Sequence, residues 1–125
     1  MTNRSGQKGA SFERLMADYF RDNLSEFIDR RVKTGAADKG DIANFRIGRH
    51  RLVVECKNIR RQSPGEQRPP GLNSWVEEAQ EEARNDDALA GIVVHKRHGK
   101  GQPQDQYVTL TVDDFLTIIA AAGAN

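Results

Sequence analysis

The sequence predicts an α/β domain in which helices cover a mixed β-sheet. Two observations support this class. Apolar residues near the N-terminus recur at the spacing of an amphipathic helix, and short apolar runs typical of strands follow further along the chain. At 125 residues the chain has room for one hydrophobic core. We therefore expect a single domain spanning residues 1–125.

The first half of the chain is predicted to form one helix and three strands. The polar segment 1–9 is expected to be flexible, and Ser11 is a candidate N-cap for a helix that ends near residue 24. The strands are predicted at residues 26–33, 41–47 and 51–57. The last two form a hairpin around the tight turn Gly48-Arg49-His50. The apolar face of the helix is Phe12, Leu15, Met16, Tyr19, Phe20 and Leu24.

The second half is predicted to form a helix, two strands and a final helix. A loop rich in proline and glycine leads to a helix at residues 72–88. Strands follow at 91–96 and 106–111, and a last helix begins near Asp113. The resulting sheet has about five strands. In the helix at 72–88, Trp75, Val76, Ala79 and Ala83 are expected on one face and Glu77, Glu78, Glu81 and Glu82 on others.

Charged residues end the strand at 51–57. Glu55 and Lys57 share one strand face, and Cys56 points to the opposite face. The hairpin brings Asp41 to the same end of the sheet. Two carboxylates and an ammonium are costly to gather unless their charge is compensated. A divalent cation is the natural compensator, and Mg²⁺ prefers carboxylates together with waters and phosphate oxygens.

Composition excludes several classes of protein. The single cysteine excludes an intrachain disulfide, and no apolar stretch reaches the roughly 18 residues that span a membrane. We expect a cytoplasmic protein with no membrane partner. The net charge of +1 conceals an asymmetry: residues 1–70 hold 15 Lys+Arg and 9 Asp+Glu, net +6, and residues 71–125 hold 4 and 9, net −5. This asymmetry suits binding to a phosphate backbone, or mutual neutralisation of the two halves in the fold.

Four elements make the chain resemble the PD-(D/E)XK nuclease superfamily, most closely its archaeal and phage Holliday-junction resolvases. Lys8-Gly9 and Phe12-Glu13-Arg14 open the first helix as in that branch. Gly40-Asp41-Ile42 stands where the family has Pro-Asp, and Glu55-Cys56-Lys57 matches its Glu-X-Lys. Trp75 and Gln80 lie on the following helix. The resemblance covers about residues 8–96 and implies a restriction-endonuclease-like core.

The resemblance also implies an activity, the hydrolysis of DNA phosphodiesters by metal-activated water. Asp41, Glu55 and the carbonyl of Cys56 would bind Mg²⁺, with Mn²⁺ as the expected substitute. Lys57 would orient or help to deprotonate the water. Glu13 would reach the metal directly or through water, and its alternative is a solvated helix carboxylate. Gln80 would orient the lysine or the water, and it fits an exposed helix position nearly as well.

The expected partner is DNA, in four-way junctions or other branched forms, in recombination or repair. The expected phosphate contacts are Lys33, Thr34, Arg60, Arg61, Arg68, Lys96, Arg97 and Lys100. Symmetric cutting of a junction implies a homodimer, and interface candidates that also fit the core are Phe12, Phe20, Phe115 and Ile119. A phage-encoded enzyme would work in the host cytoplasm. The alternatives are a nickase, a repair or restriction-type nuclease, and a non-catalytic DNA-binding scaffold.

Overall fold

The computed structural model describes residues 4–31, 40–59 and 71–123 and has the predicted α/β architecture. The helices within these ranges are α1 (Arg4–Asn23), α2 (Leu72–Asn85) and α3 (Val112–Gly123). The strands are β1 (Asp29–Arg30), β2 (Ile42–Ala43), β3 (Arg46–Ile47), β4 (His50–Lys57), β5 (Ala90–His95) and β6 (Tyr107–Thr109). A 3₁₀ turn, Pro103–Asp105, precedes β6.

The strands form two sheets. The main sheet has the order β3-β4-β5-β6, with β4 and β5 parallel and the other two pairs antiparallel. Strands β1 and β2 form a separate antiparallel pair. The single sheet expected from the sequence is divided because Asn44 adopts φ +65 and bends the chain between β2 and β3. This left-handed conformation interrupts a strand but is tolerated by asparagine.

The side chains of the two central strands, β4 and β5, point alternately to the two faces of the sheet. Val54 of β4 and Ile92 and Val94 of β5 face a cluster completed by α1, whose buried residues include Phe12 and Met16. The alternate residues of β4 and β5 face α2. The helices therefore cover both faces of the parallel strand pair, which is the usual arrangement for such pairs.

Two predictions about the N-terminal region are wrong. Helix α1 begins at Arg4, so residues 4–9 are helical and Ser11 is an internal residue rather than the N-cap. No proline precedes Ser11 to stop the helix, and Ser11 is exposed, where serine in a helix costs little. Strand β1 is also shorter than predicted, because the chain at Glu26-Phe27 forms a turn. Its predicted end at residues 32–33 lies outside the described residues.

Candidate active site

Asp41 is held against β4 by its backbone and by its carboxylate. Its N–H donates to the carbonyl of Val54 over 2.8 Å, and its Oδ2 accepts the N–H of Cys56 over 2.8 Å. The residue is 4% exposed. Gly40 permits this approach, since it has φ +91 and a Cβ added there would lie 3.1 Å from the carbonyl oxygen of Val54. Proline, whose ring holds φ near −65°, cannot adopt this turn, so the departure from the resembled motif has a structural cause.

Glu55 and Lys57 occupy the face of β4 that α2 covers. Glu55 is 3% exposed, and Nζ of Lys57 donates to Oε2 of Glu78 on α2 over 3.1 Å. Cys56 packs against the core on the other face. The predicted alternation of these three residues is confirmed. The buried carboxylate of Glu55 and the ammonium of Lys57 therefore both face α2.

Helix α2 adds two acids to this face. The carboxylate oxygens of Glu55, Glu78 and Glu82 all lie within 4.8 Å of one another, close enough to share one ion. Among the described residues no other trio of acidic, histidine or cysteine side chains is this compact. Asp41 is not part of the trio. Clustered carboxylate oxygens are the ligand type that Mg²⁺ and Ca²⁺ prefer.

The expectation that Glu82 lies away from the apolar face of its helix is wrong. Glu82 is 5% exposed and lies among the buried residues of α2 with Ala79 and Ala83. Helical spacing contains the signal: Glu82 follows Ala79 by three residues and Trp75 by seven, so all three share one stripe. The polar residue type conceals this position in a pattern that counts only apolar residues.

A close contact between α2 and β5 brings these acids to the sheet. Gly91 faces α2, and a Cβ added to it would lie 2.1 Å from the carbonyl oxygen of Ala79. Only a residue without a Cβ lets the helix backbone approach this far. Ala79 and Ala83 are small enough to lie between helix and sheet. Glu78 and Glu82 can consequently meet Glu55 on the neighbouring strand.

Glu13 and Gln80 contact residues outside the acidic trio. Oε2 of Glu13 accepts from Nη2 of Arg30 over 3.2 Å, and Nε2 of Gln80 donates to Oδ2 of Asp114 over 3.2 Å. Arg30 pairs with Ile42 in the β1–β2 ladder, so Glu13 lies near the segment that follows Asp41. Gln80 is directed toward the first turn of α3. The residue that contacts Lys57 is Glu78, a pairing that no motif in the sequence indicates.

An aromatic row continues the site across the sheet. The ring of His95 on β5 lies 5.9 Å from that of Trp75 on α2 and 5.6 Å from that of Tyr107 on β6, between centroids. Its Nε2 is 2.8 Å from Oγ1 of Thr109. Burial lowers the pKa of His95 from its ordinary value. The neutral imidazole is thereby favoured in the fold.

Three of the expected DNA contacts lie within the described residues. The ammonium of Lys96 donates to the carbonyls of Arg97 and Lys100, so it closes its own loop. The guanidinium carbon of Arg97 lies 5.5 Å from the ring centroid of Tyr107. Lys100 is exposed. The other expected contacts lie outside the described residues: Lys33, Thr34, Arg60, Arg61 and Arg68.

Comparison with known proteins identifies the family. A family model described as "Phage putative PDDEXK endonuclease" matches residues 4–123. The chain belongs to this family. No curated protein and no solved structure matched the chain. Membership confirms the superfamily indicated by the Asp41 and Glu55-Cys56-Lys57 motifs, and the mixed sheet with helices on both faces agrees with a restriction-endonuclease-like fold.

Membership also establishes the broad activity. The protein is a nuclease of the PD-(D/E)XK type, and DNA is the substrate that such a family implies. No helix among the described residues is long and apolar enough to cross a membrane.

Proposed function

We propose that this nuclease hydrolyses DNA phosphodiesters internally and requires a divalent metal, with Asp41, Glu55 and Lys57 as its central residues. The observation that carries the proposal is the pair of hydrogen bonds that join Asp41 to Val54 and Cys56. They fix a buried carboxylate beside the strand that carries Glu55 and Lys57. Burial of charged groups is costly, and a metal that assists phosphodiester hydrolysis would compensate their charge.

The donor set at this end of β4 fits Mg²⁺. Asp41 and Glu55 offer carboxylate oxygens, and Cys56 offers its carbonyl, since the N–H and C=O of one strand residue point to the same edge and its N–H points to Asp41. All three are hard oxygen ligands, as Mg²⁺ requires, and Mn²⁺ is the expected substitute. When bound, such a cation would lower the pKa of a coordinated water and neutralise charge on the phosphate.

Lys57 would orient the attacking water and stabilise charge that develops on the phosphate. Its ion pair with Glu78 holds Nζ on the same face as Glu55. Glu13 would reach the metal directly or through water, which its proximity to the β1–β2 ladder supports. Gln80 would orient Lys57 or the water, a role that requires its amide to exchange its contact with Asp114.

Cleavage assays on isosteric variants test these assignments. Asp41→Asn keeps an oxygen that can accept the Cys56 N–H, so we expect a folded protein whose cleavage rate falls at least 100-fold while DNA binding is largely retained. Lys57→Ala should lose activity with an unchanged fold. Glu26→Gln, at an exposed position in the turn before β1, is the matched control and should cleave normally. Wild-type turnover by Asp41→Asn would refute its role as a metal ligand.

For the substrate we propose a four-way junction, which would make the enzyme a Holliday-junction resolvase active in recombination or repair in the host cytoplasm. The resemblance of Lys8-Gly9 and Phe12-Glu13-Arg14 to that branch supports this proposal. A panel of labelled junction, flap, nicked and linear duplexes tests it. Paired symmetric cuts in the junction alone are expected. Equal cleavage of the linear duplex would retain the nuclease and exclude the resolvase.

We further propose that the enzyme acts as a homodimer through α3. Phe12 is buried and Phe20 packs against the core, which leaves Phe115 and Ile119 as interface candidates. Both belong to a stripe at helical spacing in which every residue is at least half exposed: Val112, Phe115, Leu116 and Ile119. Light scattering should give twice the chain mass for the wild type and the chain mass for Ile119→Lys. A monomeric wild type would refute the dimer.

A further inference from the structure

Lys57, His95 and Tyr107 form a row across three neighbouring strands, from the proposed catalytic lysine to the edge of the sheet. In the strand registers, Lys57 pairs with His95, and His95 pairs with Tyr107. The ring contacts with Trp75 and Tyr107 show that His95 and Tyr107 lie on the α2 face, as Lys57 does. Neighbouring strands are about 4.8 Å apart, so Tyr107 lies about 10 Å from Lys57. A nucleic-acid strand cut beside Lys57 would meet Tyr107 within a few nucleotides.

Tyr107 is positioned firmly yet remains accessible. The residue is 48% exposed although His95 contacts its ring at 5.6 Å between centroids. The guanidinium carbon of Arg97 lies 5.5 Å from the same ring, and the backbone N–H of Arg97 donates to Oε1 of Gln106 over 2.7 Å. Tyr107 lies on the edge strand, and a guanidinium lies against its ring. Together the two side chains offer one ligand a stacking surface and a positive charge.

We propose that Tyr107 and Arg97 form a subsite for an unpaired nucleotide that flanks the scissile phosphate. This inference rests on the proposed DNA-cleaving function of the neighbouring site. The ring would stack on the base, and the guanidinium would face the adjacent phosphate. Both faces of a base are covered in an intact duplex, so only an unpaired base can stack on Tyr107. The subsite would therefore favour DNA that is single-stranded or branched next to the cut.

Binding measurements on a cleavage-deficient background test the subsite. Glu55→Gln protein is titrated with Mg²⁺ and DNA that carries 2-aminopurine in a splayed single strand or in a linear duplex. Tyr107→Leu keeps apolar bulk and removes the aromatic face, and Tyr107→Phe keeps the ring. Phe27→Ala, in the turn before β1, removes another exposed aromatic residue as a control. We expect fluorescence quenching in the splayed DNA only. Tyr107→Leu should abolish it and weaken that DNA's binding about 10-fold, with duplex binding unchanged.

The outcomes separate this inference from the proposed function. Quenching that depends on Tyr107 supports the subsite even where wild-type protein fails to cut DNA, a result that would count against the function alone. Unchanged affinity of Tyr107→Leu for splayed DNA would overturn the subsite, even where wild-type protein cleaves with Mg²⁺. An equal loss of affinity for duplex would also overturn it, because the ring would then serve the fold or a general phosphate contact. Thermal melts of each variant identify a loss of fold.

Discussion

Replacing Gly91 with alanine perturbs the contact that positions α2 over the sheet face that carries Glu55 and Lys57. A Cβ at Gly91 would lie 2.1 Å from the carbonyl oxygen of Ala79 and 2.5 Å from its carbonyl carbon. Both are backbone atoms of a helix, so no side-chain rotation relieves the clash. Ordinary van der Waals contact begins at 3.4 Å, so α2 must move away by the difference, about 1.3 Å.

This displacement should affect both stability and activity. Overpacking a core costs about 1–3 kcal/mol, and we expect about 3 kcal/mol because a whole helix must shift. Glu78 moves with α2, and so does its ion pair with Lys57. A displacement of about 1 Å in a catalytic arrangement can cost about 100-fold in rate. Gly91→Ala should therefore cleave DNA far more slowly than wild-type protein even where it is fully folded.

Urea unfolding followed by circular dichroism measures the first effect, and cleavage by folded protein measures the second. Gly101→Ala is the matched control, because a Cβ there meets no atom within 4 Å, and its free energy of unfolding should change by less than about 0.5 kcal/mol. Gly91→Ala with the stability and the cleavage rate of wild-type protein would refute the close packing of α2 on β5.

Three further predictions follow from other contacts. Arg51→Ala removes three hydrogen bonds to buried Asp86. Urea titrations should show a free energy of unfolding lower by about 2–3 kcal/mol, and a decrease below about 0.5 kcal/mol would contradict this prediction. Burial lowers the pKa of His95, so as pH falls through 6.5 the unfolded state takes up a proton before the folded state does, and stability decreases. In His95→Gln the urea midpoint should therefore change less between about pH 7.5 and 5.5 than it does in wild-type protein. An equal pH dependence of the urea midpoint in His95→Gln and wild-type protein would contradict this role of His95. DNA affinity should fall linearly on logarithmic axes with salt, and Lys100→Ala should reduce the anisotropy-derived slope by about one if Lys100 contacts a phosphate.

The position of Asp41 beside β4 could be predicted because several local signals agree. The tight turn at residues 48–50 and the apolar runs on either side specify a hairpin, and the hairpin specifies which ends meet. The bend at Asn44 could not be predicted, since asparagine occurs in both strands and turns. Its side-chain amide donates to the carbonyl of Phe27 over 2.9 Å, a contact between residues 17 positions apart in sequence. The strand pattern alone therefore predicts one sheet where the described strands form two.

The contribution of α2 to the site was only partly predictable. Helical spacing indicates that Glu82 shares a stripe with Ala79, but not which strand that stripe meets. The meeting with Glu55 depends on the distance between helix and sheet, which Gly91 sets through a contact between residues twelve positions apart in sequence. Likewise, a serine before an apolar run is typical of a helix N-terminus. Ser11 has this pattern, yet the helix already begins at Arg4 and continues through it.

The central claim is that DNA cleavage depends on a metal held at Asp41 and Glu55. The most direct test strips the protein with EDTA, adds back Mg²⁺, and follows cleavage of labelled four-way junction and linear duplex by wild-type and Glu55→Gln protein. The account predicts that wild-type cleavage returns with Mg²⁺ and that Glu55→Gln stays at least 100-fold slower at saturating metal. Cleavage without metal, or equal rates for the two proteins, would contradict it.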